Sequence, residues 1–344
     1  MSVRHTLAIV LTLLSTLAYA QPGPGYHIVN KKLVGGEGFW DYLFVDAEGR
    51  RLYVSHGDRV VVLNADNLEV VGQIPNTSGV HGIAVAPEFN HGFTSNGRTS
   101  TVTIFDLKSL KVIKEVPVTG KNPDAILFDP ASKRLFTFNG RSGNASVLNA
   151  ETGDTLATIE LGGKPEFAVS DLKGHVLVNI EDKSEIAAID SRTLKVDARW
   201  SIAPGEEPSG LAIDRANHRL FSVCGNALMV ISDPDTRRVV TTVAIGKGTD
   251  GCMFDPEAHL AFSSNGEGTI SVVQEDSPEK FSLVETVKTL PRARTMVIDP
   301  KTHALFTATA EFGAAPAPTP ENPRPRPPMV PDTFVVIRLQ RAHP

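Results

Sequence analysis

The chain has 344 residues, 41% hydrophobic and 6% aromatic, and a formal net charge of −5. That mildly acidic balance excludes a protein built to coat nucleic acid or anionic lipid, which needs a surplus of Lys and Arg. Only two cysteines, Cys224 and Cys252, exclude a disulfide framework and a CxxC metal ribbon, and the length exceeds one typical core, so two domains or one repetitive array is expected.

Residues 1–20, MSVRHTLAIVLTLLSTLAYA, read as a cleaved secretory signal peptide. Arg4 and His5 form a basic start, Thr6 to Leu17 an apolar core, and Ala18-Tyr19-Ala20 a small-x-small cleavage site. The uninterrupted apolar run is shorter than the roughly 20 residues of a spanning helix, and no Cys marks a lipid anchor. A single mature domain, periplasmic or secreted, is expected over residues 21–344. Its opening, GYHIVNKKLVGGEGFWD, resembles an isolated last strand of a repeat followed by the loop into a first strand. Phe39 and Trp40 are expected to pack between repeats there.

A repeat then runs down the chain as LFVDAEGRRLYVSHG, IAVAPEFNHGFTSNG, ILFDPASKRLFTFNG, FAVSDLKGHVLVNIE, LAIDRANHRLFSVCG, CMFDPEAHLAFSSNG and MVIDPKTHALFTATA. Its equivalent residues Tyr53, Phe93, Phe136, Leu177, Phe221, Phe262 and Phe306 stand 40 to 44 residues apart. Each copy continues into two further alternating apolar runs with turn residues between them, which makes four strands per unit. Four strands in about 40–45 residues is a propeller blade, and no 3.6-residue period supports helical repeats. The predicted fold is all-β: a seven-bladed β-propeller of four-stranded antiparallel blades. The last repeat lacks a fourth strand, so the N-terminal strand is expected to complete it and close the ring.

The segments RLYVSHGDRVVVLNADNLEVVGQI and TSNGRTSTVTIFDLKSLKVIKEVPV resemble the YVTN-repeat β-propellers, the YncE-like group of secreted bacterial proteins, over roughly Tyr26 to Gln340. The Tyr-Val-Thr-Asn motif is loose here, as YVSH, FTSN, FTFN, LVNI, FSVC, FSSN and FTAT. The resemblance implies the fold; such propellers resemble surface-layer repeats, lactonase-type enzymes and quinoprotein propellers alike.

In a propeller the strand 4–1 and 2–3 connections share one face. At the starts of the innermost strands on that face stand Asp41, His81, Asp124, Glu166, Ser209, Asp250 and Arg294, a ring around the channel mouth. The 2–3 turns add His56, Asp58, Asn96, Arg98, Asn139, Arg141, Cys224, Asn265 and Glu267, of which the Asn-Gly pairs are first of all turn chemistry. Asp41, His81, Asp124, Glu166, Asp250 and Arg294 are the candidate ligand-binding residues. The carboxylates Asp41, Asp124, Glu166 and Asp250 are candidate ligands for a hard cation such as calcium.

On the other face, Asp129-Pro130, Asp255-Pro256 and Asp299-Pro300 read as turn punctuation. His91, His175, His218, His259 and His303, from five blades, read as solvated turn residues that cannot converge on one ion. GKGTDG at 246–251 matches a nucleotide-loop pattern but lies between strands with no helix after it. Cys224 and Cys252 lie in adjacent blades, so a disulfide is open if their geometry permits it. Finally, FGAAPAPTPENPRPRPPMVPD inserts a Pro-rich loop, 313–332, into the 2–3 turn of the last blade, where proline keeps it off the sheet and projecting from the ring face. The expected function is an exported, monomeric binding or scaffold module, engaging a small ligand or protein partner on that face; the alternative is a metal-assisted, lactonase-like hydrolase. Nucleic acid is not an expected partner, nor is a membrane span after cleavage.

Overall fold

The computed structural model describes residues 23–319, 323 and 325–342; the predicted signal peptide lies outside them. Among the described residues, twenty-eight strands form seven four-stranded antiparallel sheets, the blades, joined by turns, loops and two single-turn 3-10 helices. Blade 1, for example, is Leu43–Asp46, Arg51–His56, Arg59–Asn64 and Val70–Pro75, innermost to outermost. Each innermost strand touches the innermost strands of its neighbours all the way round, including blade 7 against blade 1. No helix among the described residues is long and apolar enough to cross a membrane.

Seven apolar cores lie between the blades, one at each junction. The repeat residues Tyr53, Phe93, Phe136, Leu177, Phe221, Phe262 and Phe306 supply their buried second-strand side chains. Blades alone would be marginal; stacking hides both faces of each sheet.

The ring closes as expected. His27–Leu33 pairs antiparallel with Val335–Gln340, from His27 opposite Gln340 to Leu33 opposite Val335, as the outermost strand of blade 7. Tyr26 anchors it: the ring is 4% exposed, meets Phe262 edge-on at 5.4 Å, and its hydroxyl donates to the His303 carbonyl at 3.1 Å. Burying such a side chain contributes about 2–3 kcal/mol.

One expectation needs correction. The Pro-rich loop does fall in the 2–3 turn of blade 7, between Leu305–Thr309 and Val335–Gln340. It is not free of backbone pairing, because Val330 N–H donates to the Glu311 carbonyl at 2.8 Å and Gly313 N–H to that of Pro328 at 2.9 Å. Proline removes only its own donors, so residues flanking the prolines still form a short stem. Trp40 packs on Phe334 and Phe312 at that stem, and the Arg292 guanidinium covers the Phe312 ring at 4.0 Å.

Cys224 and Cys252 are buried free thiols. Cys224 belongs to the core between blades 4 and 5, Cys252 to the core between blades 5 and 6, so the blade 5 sheet separates their environments. Burial raises both thiol pKa values, that of Cys224 to about 12.

Candidate functional site at the channel mouth

The motif residues build the scaffold of the ring. His81, Asp124, Glu166, Ser209 and Asp250 are the second residues of the innermost strands Val80–Ala86, Pro123–Asp129, Pro165–Ser170, Pro208–Asp214 and Thr249–Asp255. In all five the pairing register shifts at that point, a bulge that leaves backbone groups without ladder partners. Buried second-strand serines take up freed groups. Ser95 of FTSN accepts from Gly82 N–H and donates to the Asp124 carbonyl of the next blade, and Ser264 of FSSN donates to the Arg294 carbonyl. In blade 1, Ser55 of YVSH accepts from Asp41 N–H at 2.9 Å.

The asparagines of the same motifs are structural. Asn96, Asn139 and Asn265 are fully buried and donate to third-strand groups, among them Thr103, Ser146 and Ser271. They do not line the site. His56 is also buried, stacked on Phe334 at 4.1 Å with its Nε2 at 3.1 Å from the Gly35 carbonyl; burial, with the Arg59 charge, lowers its pKa to about 4.

The bulges bring the ring residues to one cavity of about 420 Å³, lined by Asp41, His81, Asp124, Glu166, Asp250 and Arg294 among others. His81 Nδ1 lies 2.7 Å from Asp41 and 3.7 Å from Asp124. Arg294 meets Asp250 at 3.2 Å, and the Ser209 hydroxyl donates to Asp250 at 2.6 Å. Lys164 lies 2.7 Å from Glu166 and also pairs with Glu181.

Carboxylates crowd this space more closely than its cations compensate. Burial first, then the charge of Asp41, raises the pKa of Asp124 to about 7. Burial and Asp124 raise Glu166 to about 9, and burial, opposed by Arg294, raises Asp250 to about 6. Burial opposes the charge on His81, but the Asp41 hydrogen bond and the surrounding carboxylates outweigh it and raise its pKa to about 9. His81 is therefore an imidazolium at neutral pH.

Sequence reasoning missed five participants. Tyr42, next to Asp41, lines the cavity, and its buried hydroxyl has no hydrogen-bond partner. Its ring meets Phe167 at 4.4 Å; these belong to blades 1 and 4, so the pair spans the axis beneath the ring and makes a floor. At the residue after the ring position, blades 2, 5 and 6 carry Gly82, Gly210 and Gly251, and a Cβ at Gly210 would strike the Asp250 carbonyl. No repeat signal marks Tyr42 or Phe167, because the other blades are small or polar there. Lys164 and Glu181 lie in the loops flanking Glu166, and Arg326 comes from the Pro-rich loop to the cavity wall.

The opposite-rim histidines do not converge on one another, but they are not merely solvated. His303 binds Asp255 at 2.7 Å, His218 binds Asp235 at 2.6 Å, and His175 lies between Asp171 and Asp197. The sequence pattern set the histidines apart without showing that carboxylates meet His175, His218, His259 and His303, while His91 lies 3.1 Å from the Ala150 carbonyl. The 246–251 glycine pattern joins two strands, Arg238–Ala244 and Thr249–Asp255, and opens no helix.

No protein-family model matches the sequence, and no curated protein matches it. The functional reading rests on the chemistry of the cavity.

Proposed function

We propose that the protein is an exported binding or scaffold module of the YVTN-repeat, YncE-like kind, which takes the positively charged group of a ligand or partner protein into the channel mouth. One observation carries this: Asp41, Asp124, Glu166 and Asp250 line one cavity with Tyr42, whose buried hydroxyl has no hydrogen-bond partner. An entering ammonium or guanidinium would replace the missing positive charge, and Tyr42 offers a hydroxyl above an aromatic floor. Arg326 extends the same surface onto the Pro-rich loop.

The competing occupant is a hard cation such as calcium on Asp41, Asp124, Glu166 and Asp250, with a hydrolase as its functional consequence. Asp41, His81 and Asp124 offer ligand atoms within 4.8 Å of one another.

Spermidine is a suitable soluble polycationic probe. It should raise the melting temperature of the wild type, more at pH 8 than at pH 6, and Asp124→Ala with Asp250→Ala should weaken its binding at least about tenfold. An equal response from wild type and double variant would sink the proposal. A calcium response reversed by EDTA, with no spermidine response, would transfer the cavity to a metal ion.

A further inference from the structure

A second cluster lies on the opposite rim, where four innermost strands end in or next to a buried aspartate: Asp129, Asp214, Asp255 and Asp299. Each accepts a backbone N–H from its own turn, from Ser132, Ala216, Glu257 and Lys301 respectively. Three are also clasped by the following blade. The Ser170 hydroxyl donates to Asp129 at 2.7 Å, His303 meets Asp255 at 2.7 Å, and Arg50 meets Asp299 at 2.8 Å. The second oxygen of Asp214, Oδ2, is buried without a hydrogen-bond partner.

Blade 6 explains the exception. Glu275 stands where other blades carry Ala65, Leu107, Ala150 and Ser191, each with the same backbone N–H bond to the turn residue, here to the His259 carbonyl at 2.9 Å, and it is 4% exposed in the junction with blade 5. His259 occupies the same left-handed turn position as His303 and Arg50, with φ of 52°, 57° and 52°. Instead of clasping Asp214, its Nδ1 faces Glu275 Oε2 at 3.9 Å. That oxygen too is buried without a hydrogen-bond partner, while the other oxygen of Glu275 accepts from Asn217 at 3.3 Å. Nearby Arg219 is engaged by Asp233 at 3.2 Å and the Pro278 carbonyl at 2.7 Å. Two carboxylate oxygens side by side in one buried junction need a shared proton or a cation between them.

We propose that Asp214, Glu275 and His259 form a divalent transition-metal site, selective for zinc, that joins blades 5 and 6. Their ligand atoms lie within 4.8 Å of one another. Two carboxylate oxygens and one imidazole nitrogen leave a fourth tetrahedral position for water. The nitrogen ligand and the low ligand number disfavour calcium and magnesium. The carboxylates are fixed by burial, whereas the His259 side chain is 51% exposed and free to close to the metal–nitrogen distance of about 2.0–2.1 Å.

The test uses the full-length mature protein freed of metal by chelator, then titrated with zinc chloride and followed by calorimetry and thermal unfolding. One zinc ion should bind with a melting-temperature rise of about 5 °C at a hundredfold excess over Kd. Glu275→Gln and His259→Ala should each lose that rise and at least about tenfold in affinity. His303→Ala, at the equivalent blade 6–7 clasp, and Asp124→Asn, in the cavity, should keep it. Without metal, Glu275→Gln should melt at or above the wild-type temperature, because it removes a buried charge with no partner. Absence of a zinc response in the wild type, its persistence in both ligand variants, or an equal response to calcium would overturn the assignment.

Discussion

The innermost strands carry acidic residues at both ends, and the two ends behave in opposite ways. At the ring end, Asp41, Asp124, Glu166 and Asp250 share a cavity, and the last three are held above their usual pKa. At the other end, Asp129, Asp255 and Asp299 are buried singly, each bonded to its own turn and to the next blade. A bulge at the ring end turns side chains of neighbouring blades toward common space. At the turn end regular pairing runs to the aspartates, as in Asp129 opposite Arg134 and Asp255 opposite Leu260, and leaves each carboxylate in a capping position at its own turn. Acidic residues stand at both ends; backbone register separates a shared cavity from a structural clasp.

The largest expected effect comes from opening the ring that holds both ends in place. Deleting residues 26–35 removes the strand paired with Val335–Gln340 and exposes that edge. The product should aggregate or lose cooperative unfolding, as read by light scattering and calorimetry, and a monomer with unchanged melting temperature would contradict closure.

Next, the two ends should respond to carboxylate removal with opposite signs. Asp299→Ala strips Arg50 of a buried partner and should cost about 3 kcal/mol in denaturant unfolding. Asp124→Asn removes a carboxylate that the folded state disfavours, so at pH 8 it should leave stability unchanged or raise it by about 1 kcal/mol. Equal losses from both variants would erase the distinction.

The pH dependence sharpens the same contrast. Folded Asp124, Asp250 and Glu166 bind protons more tightly than an unfolded chain would, with pKa values of about 7, 6 and 9. Their favourable linkage is complete below the ordinary carboxylate range and is lost as pH rises through those values. His81, raised to about 9, acts in the same direction between its ordinary value and pH 9. The melting temperature of the ligand-free protein should therefore fall from pH 5 to pH 9, and Asp124→Asn with Glu166→Gln should flatten the fall. A wild-type profile that rises over this range would contradict the electrostatics of the cavity.

The smallest effect on stability is expected from the Pro-rich loop. Replacing residues 315–326 with a short Gly-Ser turn spares the Glu311–Val330 stem and should change unfolding free energy by less than about 1 kcal/mol. Loss of Arg326 from the cavity wall should still alter spermidine association and dissociation rates, measured by stopped-flow. Unchanged rates would separate the loop from the site.

Blade number, strand count, ring closure and the position of the Pro-rich insertion follow from the sequence alone, because a propeller repeats one local pattern and each repeat spells its own strands and turns. The ring residues were legible for the same reason: they share one position in that pattern. Tyr42, Phe167, Lys164, Glu181 and Arg326 were not, since each acts at one blade only and breaks no repeat rule. Nor does the sequence show that Ser95 and Asn96 of one motif separate into ring support and sheet bracing, or that Glu275 comes to lie between His259 and Asp214. Those outcomes depend on bulge register and on which side chains of neighbouring blades come within bonding distance. Such contacts join residues of different strands and blades, as in Ser95 with Asp124 and Asp214 with Glu275, and only tertiary packing sets their distances.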